Sequence, residues 1–388
     1  MRVPVSNFHP SFPVSTWHKK PTWLWGGSAE CPDYGSFNLD YFKTIDKVMN
    51  LIEGMGFGAE IILEAWLFER PFNDRAAFLP EYEELYIKYV VSRLSAYKSV
   101  YLWTTANEYN FHPKLDPDYN YVAEKYAKRL AKIIKENDAH SHPVSVHVTQ
   151  QERMDPPFKE RFKHIKEIDI LMLQAWGYKE QDGNADLALG IDEDIEKHCI
   201  GSNKVNILGE YGYEDYPNSK RAPKWAAGLP ADHNRRGAWR GVFKGLHVIS
   251  GFENTWGVYF TEEMEPEGAQ QFIYLKKFFS EVVDFKKFST HTDILDENFE
   301  EGKPRGRKAL SMINSDENVV IAYLPVGGEC RIKISIEKVK AAFWYDNTTG
   351  EVSAAEPAKV NEEVVSFISA KINKGKRYDK DWVLVVNM

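Results

Sequence analysis

At 388 residues, 43% of them hydrophobic and 27% charged, the chain is long enough for two compact cores, and global disorder is excluded. The formal charge of -8 carries no Lys/Arg-rich block, so a nucleic-acid partner is not expected. No apolar run approaches the roughly 20 residues of a membrane span, so no membrane partner is expected either.

The N-terminus, MRVPVSNFHPSF, has no basic head followed by an apolar stretch. It is not read as a signal peptide, and both a cytoplasmic location and secretion after processing stay open. RVPVS (2–6) reads as the end of a strand, and FKTIDKVMNLIEG (42–54) as a helix after a long loop holding Trp17, Trp23 and Trp25. GAEIILEAW (58–66) is an apolar strand, followed by a helix with Tyr82, Leu85, Tyr86, Tyr89, Val90 and Leu94 at helical spacing.

SVYLWTTANE (99–108) is the next strand. Its helix starts at an Asp-Pro-Asp signal (116–118) and carries Val122, Tyr126, Leu130, Ile133 and Ile134. The alternation continues through the strands 143–149, 168–176 and 204–212, with helices from about 157 and about 187. A helix at 235–245, a strand at 246–256 and a helix at 267–279 complete it. Continuously apolar strands mean burial on both faces, which a parallel sheet covered by helices provides. This predicts an α/β fold, a (β/α)8-type TIM barrel that starts at its second strand, the first strand and helix lacking a counterpart.

After about residue 290 the pattern changes to short strands parted by turns: 317–325, 331–336, 340–346, 363–369 and 381–387. Ile332, Ile334 and Ile336 share one face at period two, so a small all-β sandwich is expected. The predicted domains are therefore a barrel over 1–288 and a β-sandwich over 289–388.

Barrel chemistry gathers at the C-terminal ends of strands, so the strands that end in carboxylates matter most. The strand at 99–106 runs into Asn107-Glu108, and the strand at 205–209 into Glu210. Counting RVPVS as the second strand, these are the fourth and the seventh, which face each other across a barrel mouth. Two carboxylates flanking one bond are what glycoside hydrolysis requires: one protonates the leaving oxygen and the other attacks the anomeric carbon. Aromatics form 14% of the chain, including 11 Trp and 20 Tyr, enough for a packed core or for a cleft of rings that stack on sugar faces.

WTTANEYNF (103–111) and VNILGEYGYE (205–214) resemble the acid/base and nucleophile motifs of glycoside hydrolase clan A. That resemblance implies Glu108 as acid/base, Glu210 as nucleophile, and Asn107 as the residue that hydrogen-bonds the sugar 2-hydroxyl. It also implies Trp256, in GFENTWG, as an aromatic platform, and Arg2 as a support of the nucleophile. Within the clan, 41–58, 235–257 and the C-terminal AFWYDNTTGE and DWVLVV resemble the apiosidase-like family, in which the catalytic domain precedes a β-module named for collagen binding.

Other residues carry two readings each. Trp66 and Glu64 end the third strand, where Trp66 either lines the cleft or packs and Glu64 either touches substrate or does not; Trp176 and Tyr178 end the sixth as substrate-site candidates, and Tyr178 either orients the nucleophile or packs. His147 is read first as a satisfied interior histidine and second as a cleft residue. Glu262-Glu263 reads as a solvated loop. Cys31, Cys199 and Cys330, odd in number and far apart, read as free thiols. The histidines show no ligand spacing and GGSAECPDYG (26–35) is no phosphate loop, so neither a metal nor a cofactor is expected.

The expected function is a retaining hydrolase on plant-type polysaccharide side chains, a furanosidase of the α-L-arabinofuranosidase or apiosidase kind. The alternatives are an endo-β-glycanase and an inactive carbohydrate-binding relative. A barrel sheet with open edges further predicts a homo-oligomer that covers the open side, with the loop at 10–37 contributing; a monomer whose loop folds over its own barrel is the alternative.

Overall fold

The computed structural model describes residues 1–7, 23–28, 30–64, 71–72, 76–111, 117–149, 154–175, 180–181, 184–185, 187–211, 214, 231–249, 267–291, 293–301, 303, 307–369 and 380–388. Two compact units divide them: the first gathers residues within 1–174 and 197–209, the second those within 175–196, 210–256 and 260–388.

The chain opens with β1 (Arg2–Pro4), then the hairpin β2 (Trp25–Gly27) and β3 (Pro32–Phe37), and α1 (Leu39–Gly54). The helix begins before the apolar periodicity does because Asn38 caps it, its side chain accepting from the N–H groups of Asp40 and Tyr41. Tyr41, Phe42, Ile45, Met49 and Ile52 form its buried face. It ends at Gly54, and two residues on Gly56 takes a φ of 73°, which a residue without a Cβ adopts freely.

There follow β4 (Ala59–Glu64), α2 (Pro80–Leu94), β5 (Val100–Ala106), α3 (Pro117–Asn137), β6 (Val144–His147), α4 (Phe158–Phe162) and β7 (Ile170–Gln174). Next come the short β8 (Glu180–Gln181) and β9 (Asn184–Ala185), α5 (Leu187–His198), β10 (Val205–Glu210), α6 (Ala231–Phe243), β11 (His247–Val248) and α7 (Glu267–Lys277). Seven strands form one parallel sheet in the order β1-β4-β5-β6-β7-β10-β11, with helices in the connections. Among the described residues, that is the arrangement of a TIM-type (β/α) barrel with seven of its eight strands. Every residue of β4, β6 and β7 is buried, which is why these strands read as unbroken apolar runs.

Two expected helix faces are displaced. Leu85 and Val122 are exposed, and their helices bury Ile87 and Val91, and Ala123 and Ala127, instead. Large apolar side chains mark a helix face in a sequence, whereas the buried face of α3 includes alanines. The described part of the long aromatic loop folds onto its own unit: Trp25 is 1% exposed, with ring contacts to Tyr34, Phe72, Phe78 and Tyr86.

The C-terminal strands are β12 (Ser289–Thr290), β13 (Leu310–Asn314), β14 (Val319–Leu324), β15 (Glu329–Ile332), β16 (Ala341–Asp346), β17 (Val352–Ala354), β18 (Ala358–Lys359), β19 (Val365–Ile368) and β20 (Trp382–Asn387), with the short α8 (Glu297–Glu301) after β12. They form an antiparallel sheet β12-β13-β14-β20-β16-β17 and a second sheet β15-β19-β18. The two share one core, including Val320, Ala322, Leu324, Ile332, Trp344, Val365, Phe367, Leu384 and Val386, as a small sandwich requires. Ile334 and Ile336 still pack toward that core although β15 ends at Ile332. All three cysteines are free thiols.

Candidate active site

The first unit gathers side chains from β1, β4, β5, β6 and β7, and from the turn after β5, into one hydrogen-bonded cluster. At the end of β5, the Asn107 N–H donates to the Glu64 carbonyl at 2.9 Å and the Tyr109 N–H to the His147 carbonyl at 2.9 Å. Between these anchors Glu108 adopts φ 48°, a left-handed conformation uncommon for a residue with a side chain and found disproportionately at functional sites. Its neighbours Asn107, Tyr109 and Asn110 are buried, and Glu108 itself is partly exposed.

Asn107 is oriented by two donors. The Arg2 guanidinium, which can only donate, lies 3.1 Å from Asn107 Oδ1, and His147 Nδ1 lies 2.9 Å from the same oxygen. Burial, and then the charge on Arg2, push the His147 pKa well below its ordinary value, so the ring is neutral and carries a single N–H. Two longer contacts reach Nδ1, from Arg2 at 3.4 Å and from the Glu108 N–H at 3.3 Å. They would suit a proton on Nε2, but that tautomer sets two lone pairs against each other at the shortest contact. A proton on Nδ1 satisfies the 2.9 Å bond. With Oδ1 thus occupied, the Asn107 NH2 group is the half of the amide left to meet a ligand.

Arg2 also pairs with the fully buried Glu60, its Nε lying 3.2 Å from the carboxylate, and Glu60 accepts from Thr104 Oγ1 at 2.7 Å. Arg2 thus reaches Glu60, Asn107 and His147. His147 is wholly buried and hydrogen-bonded to Asn107. Glu64 is buried, its two oxygens 2.8 and 2.6 Å from the single donor Tyr126 Oη, which also lies against Glu83, the partner of Arg129.

Three residues that a search for carboxylates passes over complete the cluster. Gln174, the last residue of β7, donates from Nε2 to Glu108 Oε1 at 2.7 Å. Thr149 Oγ1 donates to Gln174 Oε1. Asn110 grips the Thr149 backbone, donating from Nδ2 to its carbonyl at 2.5 Å and accepting its N–H at 2.9 Å. The signal available in the sequence was a polar residue closing the apolar run ILMLQ.

Glu210 ends β10, 5% exposed, and its carbonyl accepts the Ala175 N–H at 2.7 Å. The preceding Gly209 is required by packing, since a Cβ there would lie 2.5 Å from Met172 Cγ on β7. In the sheet, β5 and β10 are separated by β6 and β7, as the fourth and seventh positions of a barrel are. Trp66, Trp176, Tyr178, Trp256, Glu262 and Glu263 lie outside the described residues. Among those described, no group of three or more His, Cys, Asp or Glu could hold a metal ion, and no helix is long and apolar enough to cross a membrane.

Residues 14–285 match the model of the family described as apiosidase-like, catalytic domain. The chain belongs to this family. As a member of it, with a fold shared by glycoside hydrolases, the chain is a glycosidase with a carbohydrate substrate. Residues 299–387 match a second model, described as "Putative collagen-binding domain of a collagenase".

Among solved structures, a glycoside hydrolase family 5 protein from Bacteroides vulgatus is 16% identical, with a TM-score of 0.66 over 89% of this chain and 74% of that one. A second glycoside hydrolase is 15% identical, also at TM-score 0.66, over 100% of this chain and 84% of that one. An Anoxybacillus α-amylase, 10% identical, reaches TM-score 0.51 over 94% and 83%. At such identities the likeness is one of fold. A search of curated proteins finds no match.

Proposed function

We propose that the chain is a retaining glycoside hydrolase acting on side chains of plant-type polysaccharides, a furanosidase of the α-L-arabinofuranosidase or apiosidase kind. One observation carries this reading: a partly exposed Glu108 follows a barrel strand beside an Asn107 whose Oδ1 is held by Arg2 and His147, which leaves its NH2 group for a ligand. The family match supports a furanose sugar.

In this mechanism Glu210 attacks the anomeric carbon while Glu108 gives its proton to the departing oxygen. The glycosyl–oxygen bond breaks as an ester to Glu210 forms. Glu108, now a carboxylate, takes a proton from water, which attacks the ester and releases the sugar with its configuration retained. The two carboxyls are expected at roughly 5–5.5 Å. Asn107 donates to the sugar 2-hydroxyl, and Trp256, Trp66, Trp176 and Tyr178 are proposed to line the subsite.

The test is a panel of nitrophenyl glycosides and arabinoxylan, with the product anomer read by NMR. We expect a pentofuranose released with retention, Glu210→Gln inactive on every substrate, and Glu108→Ala losing poor leaving groups far more than good ones. An inverted product overturns the mechanism. Internal cleavage of mannan or glucan without pentose release overturns the furanosidase assignment and favours an endo-glycanase.

Among the described residues β1 hydrogen-bonds within the sheet only to β4, and we propose that a second copy covers its outer edge. Light scattering against the 44.7 kDa of one chain reads that association.

A further inference from the structure

Glu108, Asn110, Thr149 and Gln174 close a ring of hydrogen bonds. The turn that starts at Glu108 holds Thr149 through Asn110, Thr149 holds Gln174, and Gln174 returns to Glu108. Asn110, Thr149 and Gln174 are 2%, 5% and 5% exposed, so the ring is built into the interior and not assembled by solvent.

The polarity of the ring is fixed by donor chemistry. A buried Thr149 hydroxyl that donates to Gln174 Oε1 turns the amide so that its NH2 group meets Glu108 Oε1. An amide N–H can only donate, so Oε1 must accept in both protonation states of Glu108. A neutral carboxyl has one protonated oxygen, and here that oxygen is Oε2.

We propose that Gln174, oriented by Thr149, is a positioning residue that decides which oxygen of Glu108 carries the transferable proton. This rests on Glu108 being the acid/base. During the first step the O–H bond at Oε2 breaks, the proton passes to the departing oxygen, and the contact at Oε1 persists while strengthening against the new negative charge. During the second step Oε2 recovers a proton from water. A neutral amide performs this without titrating, and it favours the carboxylate form of Glu108 without a charged partner.

The experiment compares Gln174→Met, Gln174→Glu and Thr149→Val with the parent on aryl glycosides of the sugar that proves to be the substrate. One has a phenol leaving group and one a dinitrophenol, and kcat/KM is followed across pH. Loss of a hydrogen bond to a charged group corresponds to about 10- to 100-fold. We expect that loss for Gln174→Met on the phenyl glycoside and a several-fold smaller loss on the dinitrophenyl glycoside, which needs no acid.

Removing the donor destabilises the carboxylate, so the basic limb of the profile should move up in pH. In Gln174→Glu a second carboxyl against Oε1 should move it further the same way. Thr149→Val, which keeps the shape and frees the amide to turn, should show the same pattern more weakly.

Glu108→Gln is the separating control. If it fails to lose the phenyl glycoside selectively, the acid/base reading is wrong. If Glu108→Gln behaves as an acid knockout, the proposal about Gln174 is overturned by either of two results: equal losses on both leaving groups, or an unmoved basic limb.

Discussion

His147 is a histidine made unable to titrate where histidines ordinarily do. It is fully buried beside the Arg2 guanidinium, and both circumstances disfavour the imidazolium. The consequence reaches stability. Between its depressed folded pKa and the ordinary value of 6.5, the unfolded chain binds a proton that the folded chain refuses. Stability from this group is therefore intact above about pH 6.5 and falls as pH drops, by up to about 1.4 kcal/mol per pH unit. His198 and His233, both lowered to about 4 by burial first, act in the same sense. Glu214 and Asp232, whose carboxyls burial pushes up, act in the opposite one, so a single melting curve mixes these effects. A difference isolates His147. The melting temperature of the parent minus that of His147→Gln should shrink on going from about pH 7.5 to about pH 5. A gap that stays constant would show that His147 charges in the folded protein.

At the scale of elements, the closest fit that the site depends on is the approach of β10 to β7. Gly209 precedes Glu210, and a Cβ there would lie 2.5 Å from Cγ and 2.8 Å from Sδ of the buried Met172. Gly209→Ala should cost about 1–3 kcal/mol, by overpacking, and should lower activity by displacing the end of β10. Met172→Ala in the same chain should restore part of both, measured as a coupling energy in denaturant melts. Additive losses would mean that Gly209 serves some other need. The strands of this sheet were legible in the sequence because burial on both faces leaves an unbroken apolar run, as in 58–64 and 170–174. Asn107-Glu108 and Gly209-Glu210 were legible for a related reason, charge and amide groups closing such runs. The ring through Gln174, Thr149 and Asn110 was not, because neutral polar side chains at strand ends are common and only three-dimensional placement selects these. The N-cap at Asn38 and the alanine face of α3 escaped for want of large apolar residues to mark them. In the C-terminal region β13 escaped as well, its LSMIN being short and mixed.

At the scale of the whole molecule, the second unit explains why two kinds of fold occur in one chain. Strands β14 and β20 alternate between two apolar environments. Val320, Ala322, Leu324, Leu384 and Val386 fill the sandwich core, and the opposite face meets α6. There the ring of Trp239 stacks on Tyr323 at 6.0 Å and 14°, Phe243 lies 5.6 Å from Tyr323, and Phe278 lies 4.9 Å from Tyr345. Tyr345 Oη donates to the Tyr274 carbonyl at 2.9 Å on α7. At the centre the buried Arg235 of α6 pairs with the buried Asp381 at 2.6 Å, and Asn347 donates to the same carboxylate at 2.9 Å. The DNTTG turn and the Asp-Trp pair are thus a clasp on the last helices before the sandwich. Cutting the chain at the domain boundary we propose, after residue 288, would bare Trp239 and Phe278, both fully buried. We expect the truncate to aggregate. Because aggregation alone says little about cause, the clasp is tested in the full chain. Asp381→Asn leaves Arg235 charged and buried without its partner, which should cost about 3–5 kcal/mol. Arg235→Met with Asp381→Leu removes both members of the pair and should cost markedly less, since neither is then left buried without the other. If both variants melt with the parent, or if the truncate is soluble and fully active, the sandwich is an independent appendage and the ion pair contributes nothing to holding α6 in place.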